Sequence, residues 1–517
     1  MVQRTSTDTD TDTDLVVGQD AAVDLNLRSG RIAELSLAYA DRNEQHVLAG
    51  SLDQPSPAVK TVAIIGAGSA GASAAYYLRR YADGAGLPLD ITIYDRNHYI
   101  GGRSTTVYAY NDTSQPVELG ASIFVQVNHN LVNAVNEFNL SASGINRVRH
   151  YDGGLLGIWN GREFVFVQSA SDTWWDTAKA LWRYGLAPIK TVRLMKATVG
   201  KFLKMYEAPY FPFKSLSQVV YDLGLTAVTA ATGEQYLNEN GIGALFANEI
   251  IQASTRVNYA QNLPFIHGLE AMVCMATEGA MAVEGGNWQI FSSMINASGA
   301  DVRLGTGVRK LEKLDNGSYV VILAGPKQFS YIDFQPAPRH TPDEIPYVQL
   351  HVTLFTSGHL LQPEAFNLKP GERVPQIVLT TLPPDEQPRN SSAGVGSPGF
   401  YSISLLRETR GRRGQEYLYK IFSPSHVSDD FLGTILGSSA KDTVSWRYDK
   451  VWNSYPYELP RVTFEEIKLD DGLWYTSGIE SFISTMETSS LMGMNVARLM
   501  VDEWTKKGLG DPTDGQA

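Results

Sequence analysis

The sequence predicts an α/β protein, and three features near residue 60 support this prediction. Residues 61–65 form a short, β-branched apolar run, which is typical of a buried parallel strand. An alanine-rich segment from residue 69 to about residue 81 predicts a helix, and residues 91–94 form a second apolar strand. A strand, a helix and a strand in this order make a β-α-β unit, in which the two strands lie parallel.

A glycine-rich turn, G-A-G-S-A-G, joins the first predicted strand to the helix. Its first glycine permits a tight turn, its second lets the backbone approach a pyrophosphate, and its third lets the helix pack closely on the strand. The start of the helix adds unpaired N–H groups and the positive end of its dipole. We therefore predict a Rossmann-type dinucleotide site here, formed by Gly66, Gly68, Ser69, Ala70 and Gly71.

An acidic residue closes the second predicted strand. Asp95, followed by Arg96, can accept hydrogen bonds from a ribose diol. A Gly-Gly-Arg element comes soon after, and it resembles the element that follows the ribose acid in FAD enzymes of the glutathione-reductase type. In such enzymes the glycines pass close to the cofactor and the arginine can pair with the pyrophosphate. The resemblance implies FAD as the cofactor and adds Gly102 and Arg103 to the site.

Three later segments resemble further FAD contacts of glutathione-reductase-like and amine-oxidase-like proteins. One implies contacts with the ribityl chain and the flavin, the second faces adenine, and the third is a Gly-x-acid turn on the ribityl chain. The alternative for the acid of that turn is a residue that stabilises a helix N-terminus. The first segment contains Gly120, Ala121 and Ser122, the second contains Val308, and the third contains Gly478 and Glu480.

The composition argues against several other kinds of partner. A net charge of −12 opposes binding to phosphate backbones, so we expect no nucleic acid partner. Cys274 is the only cysteine, which excludes an intramolecular disulfide and a cysteine-based metal centre. The histidines show no metal-ligand spacing, so we expect no metal. The sequence shows neither a secretory signal nor a long apolar run, which favours a soluble intracellular protein.

The predicted elements divide the chain into a discontinuous FAD-binding domain and a mixed α+β substrate domain. A polar leader precedes them, and we expect it to be disordered because its Thr-Asp repeat cannot bury apolar surface. The predicted boundaries are residues 1–58 for the leader, 59–125, 280–325 and 465–508 for the FAD-binding domain, 126–279 and 330–464 for the substrate domain, and 509–517 for a flexible tail.

A larger part of the chain, from about residue 61 to residue 504, resembles the prenylcysteine oxidase family, also called prenylcysteine lyase. Its R-V-N-Y, V-E-G-G-N and W-R-Y-G segments are more specific than the glycine turn, which many flavoproteins share. The similar segments are residues 72–79, 153–161, 181–185, 256–261, 282–287, 420–423, 478–480 and 484–489.

This resemblance implies an FAD enzyme that cleaves the thioether of farnesyl- or geranylgeranyl-cysteine. Water and oxygen are consumed, and cysteine, the prenyl aldehyde and hydrogen peroxide are released. A C–H bond beside sulfur and allylic to an alkene is a good hydride donor, because the resulting cation is doubly stabilised. The cofactor then performs the difficult step and the protein supplies orientation, so no strong base or metal is needed.

The R-V-N-Y segment supplies the candidate catalytic residues Arg256, Asn258 and Tyr259. Arg256 is predicted to hold the substrate carboxylate in a two-pronged clamp. Tyr259 is predicted to orient water or to flank the flavin, with Asn258 also lining the site. The alternative for each is a purely structural role, as a buried arginine or a core tyrosine.

The sequence departs from the family pattern after residue 323. Residues 308–314 and 319–323 are predicted to pair as a hairpin around Asn316 and Gly317, and the family's next strand, which returns the chain to the FAD-binding domain, is then missing. Either the gene is truncated there or the sheet is built differently. One rival hypothesis is a flavin-binding protein without turnover. Another is a same-fold FAD oxidase or dehydrogenase acting on a different apolar amine, isoprenoid or secondary metabolite.

A basic segment contrasts with the acidic chain. Residues 177–206 contain seven lysines or arginines and no acidic residue. Five apolar residues fall on one helical face, opposite most of the cations: Met195, Val199, Phe202, Leu203 and Tyr206. Residues 190–206 therefore predict either an interfacial helix in peripheral contact with a membrane or a surface helix with a solvated basic face.

Overall fold

The computed structural model describes residues 58–144, 155–168, 174–313 and 320–508. The rest of the predicted leader, the predicted tail and the turn at residues 316–317 lie outside these ranges. The strands are β1 (Lys60–Ile65), β2 (Leu89–Tyr94), β3 (Thr106–Tyr108), β4 (Pro116–Glu118), β5 (Ala142–Gly144), β6 (Leu156–Trp159), β7 (Phe164–Gln168), β8 (Met281–Val283), β9 (Asp301–Arg303), β10 (Lys310–Glu312), β11 (Val321–Leu323), β12 (Asp333–Gln335), β13 (Tyr347–Ser357), β14 (Ile377–Thr380), β15 (Ser402–Gly411), β16 (Gly414–Ser423), β17 (Val444–Pro456), β18 (Lys468–Asp470) and β19 (Leu473–Tyr475).

The helices are concentrated between β7 and β8. A π-helical turn, Ala247–Ile251, lies within this helical stretch. The helices are α1 (Ser69–Gly84), α2 (His129–Glu137), α3 (Trp174–Tyr184), α4 (Ala187–Phe202), α5 (Leu216–Asp222), α6 (Thr226–Ala230), α7 (Gly233–Glu239), α8 (Ala244–Phe246), α9 (Gln252–Tyr259), α10 (Gly268–Val273), α11 (Trp288–Ser298), α12 (Asp429–Leu436), α13 (Ala440–Thr443) and α14 (Met486–Gly508).

A six-stranded sheet contains the predicted β-α-β unit, with the strand order β18-β19-β11-β1-β2-β9. The five strands from β19 to β9 run parallel, and β18 at the edge is antiparallel. Val62, Ile64 and Ile93 are fully buried, as expected for parallel strands covered on both faces. α1 packs against α11 and α14. This arrangement confirms the predicted α/β fold and its Rossmann-type unit.

The predicted hairpin between residues 308–314 and 319–323 is wrong. β10 pairs with β12 in a separate two-stranded sheet, whereas β11 lies between β1 and β19. All three residues of β11 are buried, because the V-I-L run suits a central strand better than a hairpin edge. β11 therefore itself returns the chain to the sheet, so the strand that was expected to be missing after residue 323 is formed by residues 321–323.

A seven-stranded sheet, ordered β17-β13-β16-β15-β14-β6-β7, forms the second layer of strands. Its neighbouring strands are antiparallel except for β14 and β6. All its strands come from the segments predicted for the substrate domain, and all strands of the six-stranded sheet come from those predicted for the FAD-binding domain. The β10–β12 pair joins one segment of each kind.

The predicted apolar face of the basic segment lies on α4 and on the turn that follows it. Met195, Val199 and Phe202 are buried in the core, and Leu203 and Tyr206 are half-buried. The predicted apolar face therefore packs inward, which supports a surface helix and contradicts an interfacial helix that uses this face. Across the described ranges, no helix is long and apolar enough to cross a membrane.

Candidate cofactor site and active site

The glycine turn needs two of its glycines for backbone packing. Gly66 has a φ of +118°, in the region that favours glycine, and a Cβ there would lie 2.8 Å from Ala324 O. A Cβ on Gly71 would lie 1.9 Å from Gly66 O. The start of α1 can therefore approach β1 and the residue after β11 only because these positions lack side chains.

The space beside Gly68 is open. A Cβ there would lie 3.9 Å from its nearest neighbours, Gly101 O and Gly102 Cα, and its φ of −83° suits any residue. No side chain of the described residues caps α1, and its first turn contains no acid. The N-terminus of α1 therefore has no side chain that competes with an anion for its N–H groups. An open glycine beside an uncapped helix N-terminus fits a dinucleotide pyrophosphate.

The residues predicted to contact the adenosine half lie at the end of β2. The Asp95 carboxylate is mostly buried and accepts a hydrogen bond of 2.8 Å from Ala67 N, so it faces the glycine turn. Arg96 follows, and a Cβ on Gly307 would lie 3.9 Å from its Cβ. Val308 is half-buried next to them. The fold therefore gathers Asp95, Arg96 and Val308 at one edge of the sheet.

Arg103 and Glu480, predicted to serve different parts of the cofactor, contact each other. Arg103 Nη2 lies 2.5 Å from Glu480 Oε2, and its Nη1 donates to Ser454 O at 2.9 Å. Glu480 also accepts a hydrogen bond of 3.0 Å from the Tyr347 hydroxyl. Glu480 and the buried Gly478 belong to residues 477–486, which precede and begin α14 and are called the junction below. The ion pair ties the Gly102 turn to the junction.

Three segments that are distant in the sequence converge at residues 120–122. Ser122 Oγ accepts a hydrogen bond of 2.7 Å from Lys420 Nζ, which also donates to Glu118 O at 3.1 Å. Ala121 O accepts a hydrogen bond of 2.8 Å from Asn287 Nδ2. The K-I-F-S and V-E-G-G-N segments therefore hold the loop that contains Gly120.

Lys420 and Glu118, which we did not predict as part of the site, interact through their charges, although Lys420 Nζ donates to the Glu118 carbonyl and not to its carboxyl. Burial lowers the pKa of Lys420 to about 8 and raises the pKa of Glu118 to about 8, although the opposite charges of the two groups oppose both shifts. The signal in the sequence is a single cation inside the apolar run of β16.

Arg256 is buried, and its guanidinium is engaged within the protein. Nη1 donates to Asn262 Oδ1 at 2.8 Å and to Gly394 O at 2.9 Å, and Nη2 donates to Val395 O at 2.7 Å. Nε donates to Thr380 Oγ1 at 3.1 Å. Burial lowers the pKa of Arg256 to about 10, so the side chain stays charged at neutral pH. These contacts favour the structural alternative over the substrate clamp.

Asn258 and Tyr259 lie at the end of α9. Asn258 Nδ2 donates to Ser254 O at 2.9 Å, within the same helix. The Tyr259 hydroxyl donates to Ser484 O at 3.2 Å, and its ring lies edge-on to Tyr455. Tyr259 thus contacts the junction directly, whereas Asn258 does not share that contact.

Three buried titratable side chains beside Tyr259 form a group that the sequence did not reveal. We call His267, Glu270 and Glu458 the acid cluster; their nitrogen and carboxylate oxygen atoms lie within 4.8 Å of one another. All three are fully buried, and the Tyr259 hydroxyl and the Ser484 backbone are the polar groups that lie beside the Glu270 carboxyl and act to lower its pKa. The nearby Arg461 donates to Ser481 Oγ in the junction.

The hydrogen bonding of His267 argues against a metal at the acid cluster. His267 Nδ1 accepts a hydrogen bond of 3.1 Å from Glu270 N, which caps α10. The neutral ring then carries its proton on Nε2, 3.5 Å from Glu458 Oε2. A protonated nitrogen offers no lone pair to a cation, so the arrangement argues against metal binding.

Burial determines the protonation of the acid cluster. It raises the pKa of Glu270 to about 8 and that of Glu458 well above its usual range. It lowers the pKa of His267 to about 3, so the imidazole is neutral. The cluster therefore keeps protons on its carboxyl groups near neutral pH.

Solved structures of flavin-type oxidases share the fold. The chain is similar to putrescine oxidase, with a TM-score of 0.53 and 15% identity over 86% of this chain and 99% of that one. Cyclohexylamine oxidase from Brevibacterium oxydans IH-35A gives a TM-score of 0.52 and 14% identity over 86% and 99% of the two chains.

Sequence comparisons are more specific. The profile of the NAD(P)-binding Rossmann-like domain matches residues 64–138, and that of prenylcysteine lyase matches residues 167–320 and 314–510. Farnesylcysteine lyase of Arabidopsis thaliana is 31% identical over 89% of this chain and 91% of its own length. Human prenylcysteine oxidase 1 is 28% identical over 86% and 89%. The chain therefore belongs to the prenylcysteine lyase family.

Proposed function

We propose that this protein is an FAD-dependent oxidase that cleaves the thioether of prenylcysteines. The observation that carries the proposal is an open Gly68 beside an uncapped helix N-terminus in a chain of the prenylcysteine lyase family. The substrate class comes from relatives named farnesylcysteine lyase and prenylcysteine oxidase 1. The products are the prenyl aldehyde, cysteine and, with oxygen as the electron acceptor, hydrogen peroxide.

The FAD would be held by the residues gathered around the glycine turn. The pyrophosphate would occupy the space at Gly68, and Asp95 would accept hydrogen bonds from the ribose. Glu480 would contact the ribityl chain, and Gly120 and its neighbours the flavin. When bound, FAD supplies a two-electron acceptor for the hydride that leaves the carbon beside sulfur.

The side chains near this site hold and move protons. Addition of water to the oxidised carbon releases one proton, and departure of cysteine takes one up, so a group that can both accept and donate is useful. Lys420 and Glu118 provide such a pair beside Ser122. Tyr259 holds the junction through Ser484 O. Arg256 serves as a positioning residue for residues 394–395.

Anaerobic addition of farnesylcysteine to the purified protein tests this function. The flavin absorbance should bleach, and admission of oxygen should restore it with release of farnesal, cysteine and hydrogen peroxide. S-dodecylcysteine is the matched control, because it has a thioether but no alkene to stabilise the cation, and it should bleach the flavin far more slowly. Bleaching by apolar amines alone, or no bleaching by any donor, would contradict the proposal.

A further inference from the structure

The corner between α3 and α4 carries a cluster of exposed apolar side chains. Trp182 is 91% exposed and Leu186 is 63% exposed, while Ile189 and Val192 are 42% and 48% exposed. We call these four residues the docking face. Gly185, with a φ of +60°, makes the turn between the two helices. An open depression of about 340 Å³ is lined by Pro188, Ile189, Val192 and Arg193.

The docking face is not the side of α4 that packs into the protein. That inner side consists of Ala187, Thr191, Met195 and Val199, all buried. At 100° per residue, Ile189 and Val192 lie on a side of α4 turned away from the centre of these buried residues, and Leu186 immediately precedes the helix. The outer side of a surface helix is ordinarily polar. Four exposed apolar side chains within eleven residues, two of them lining one depression, favour a contact with something outside the chain.

Cations accompany the docking face. Lys190 and Arg193 are exposed on the same turns of α4. Lys190 Nζ donates to the carbonyl of Gly241, which does not neutralise its charge. Two cations close by have acidic partners, in the pairs Arg183–Glu249 and Lys196–Glu278. With a net charge of −12 on the whole chain, the positive charge of Lys190 and Arg193 is a local feature.

We propose that the docking face binds to a membrane surface that contains anionic lipids. Trp182 and the aliphatic side chains would enter the boundary between headgroups and acyl chains, and Lys190 and Arg193 would meet the lipid phosphates. A second copy of the chain is a poorer occupant, because a symmetric contact would bring the same cations together. This inference does not rest on the proposed function, and it uses a different face from the buried one that the sequence suggested.

Co-sedimentation of the full chain with vesicles tests the docking face. The protein should pellet with phosphatidylcholine vesicles that contain phosphatidylserine, and added salt should weaken this binding. A Trp182→Ala, Ile189→Asp double variant should lose at least about tenfold in vesicle affinity, because it removes apolar contact area. Its melting temperature should not change, because both side chains are exposed.

Matched variants separate the docking face from general surface effects. Tyr331→Ala removes an exposed aromatic ring before β12 and should leave vesicle binding unchanged. Arg193→Glu should weaken only the phosphatidylserine-dependent binding, whereas Lys369→Glu, the same kind of charge change before β14, should not. The proposal is overturned if the wild type does not pellet or if the double variant binds as tightly as the wild type. It is equally overturned if the double substitution dissociates a dimer in the absence of vesicles.

Discussion

The glycine turn and the acid cluster both contact the junction, but they present different polar groups to it. Ser69, at the start of α1, donates to Met486 O at 2.6 Å, and Tyr259, beside the acid cluster, donates to Ser484 O at 3.2 Å. The glycine turn offers backbone N–H groups at an open face. The acid cluster offers fully buried carboxyl groups, and the Tyr259 hydroxyl lies beside one of them.

This difference separates two tasks. Backbone amides can bind phosphates with no charged side chain in the site, and they keep that ability at any pH. Buried carboxyl groups instead change protonation with pH, and their burial opposes the charged form. We therefore expect substitutions at the glycine turn to affect packing or cofactor retention, and substitutions near the acid cluster to affect stability in a pH-dependent way.

The largest effect is expected for Gly71→Ala. The new Cβ would collide with Gly66 O, so the unfolding free energy should fall by at least about 3 kcal/mol. Gly68→Ala is the matched control, because its Cβ meets nothing closer than 3.9 Å. Chemical denaturation of the protein freed of cofactor measures both. Equal losses of stability in the two variants would show that Gly68 is needed for packing as much as Gly71 is.

Arg256→Met should have the next largest effect, a fall of roughly 3 kcal/mol in the unfolding free energy. The variant leaves Asn262, Gly394 and Val395 without their charged donor in the buried interior. Arg309→Met, on the exposed connection before β10, is the control and should change little. Thermal denaturation gives the stability. If Arg256→Met folds as stably as the wild type but raises KM alone, Arg256 is a substrate clamp after all.

Glu270→Gln should change how stability depends on pH. An unfolded glutamate has a pKa near 4.5, and the folded one has a pKa of about 8. The stability that the protonated Glu270 contributes is therefore lost as pH rises towards 8, at roughly 1.4 kcal/mol per pH unit. His267 acts in the opposite direction, but only below its unfolded pKa of 6.5.

Between pH 6.5 and pH 8, the difference between the wild type and the Glu270→Gln variant reports Glu270, because the other buried carboxyl groups, Glu458 and Glu118 among them, are present in both proteins. Urea denaturation across this pH range should show the wild type losing stability, and the glutamine variant losing about 2 kcal/mol less. Glu234→Gln, on the surface helix α7, is a matched control and should reproduce the wild-type slope. A glutamine variant with the wild-type slope would mean that Glu270 is ionised in the folded protein.

The smallest effect is expected for Tyr259→Phe. Loss of the hydrogen bond to Ser484 O should lower the unfolding free energy by about 1 kcal/mol, with unchanged flavin content. Stability and kcat should be measured on the same preparation. A large fall in kcat without a change in KM or stability would show that the hydroxyl takes part in the chemistry rather than only holding the junction.

The sequence could predict the parts of the fold and of the site that are formed by neighbouring residues. The glycine turn, the strands around it and Asp95 are local in the sequence, and each residue type has a distinct backbone or phosphate role. The turn at residues 316–317 misled because an Asn-Gly pair reports only local geometry. It carries no information about whether β11 pairs with β10 or lies between β1 and β19.

The acid cluster could not be predicted in the same way. His267 and Glu270 share α10 and its cap, but Glu458 is almost two hundred residues away (on the connection after β17), and only the fold brings it near. Burial, which shifts all three pKa values, is also a property of the fold. Arg256 was found by resemblance, but its role depends on carbonyls at residues 394–395, which no motif marks.

Flavin content of the wild type and of Gly68→Val tests whether the glycine turn holds FAD. The structure leaves room for a side chain at Gly68, so the variant should fold with an unchanged melting temperature when both proteins are freed of cofactor. The wild type should release FAD on denaturation, and the variant should contain almost none, because the valine occupies the space of the pyrophosphate. A wild type that is colourless and does not bind added FAD, or a variant that retains it, would contradict the account.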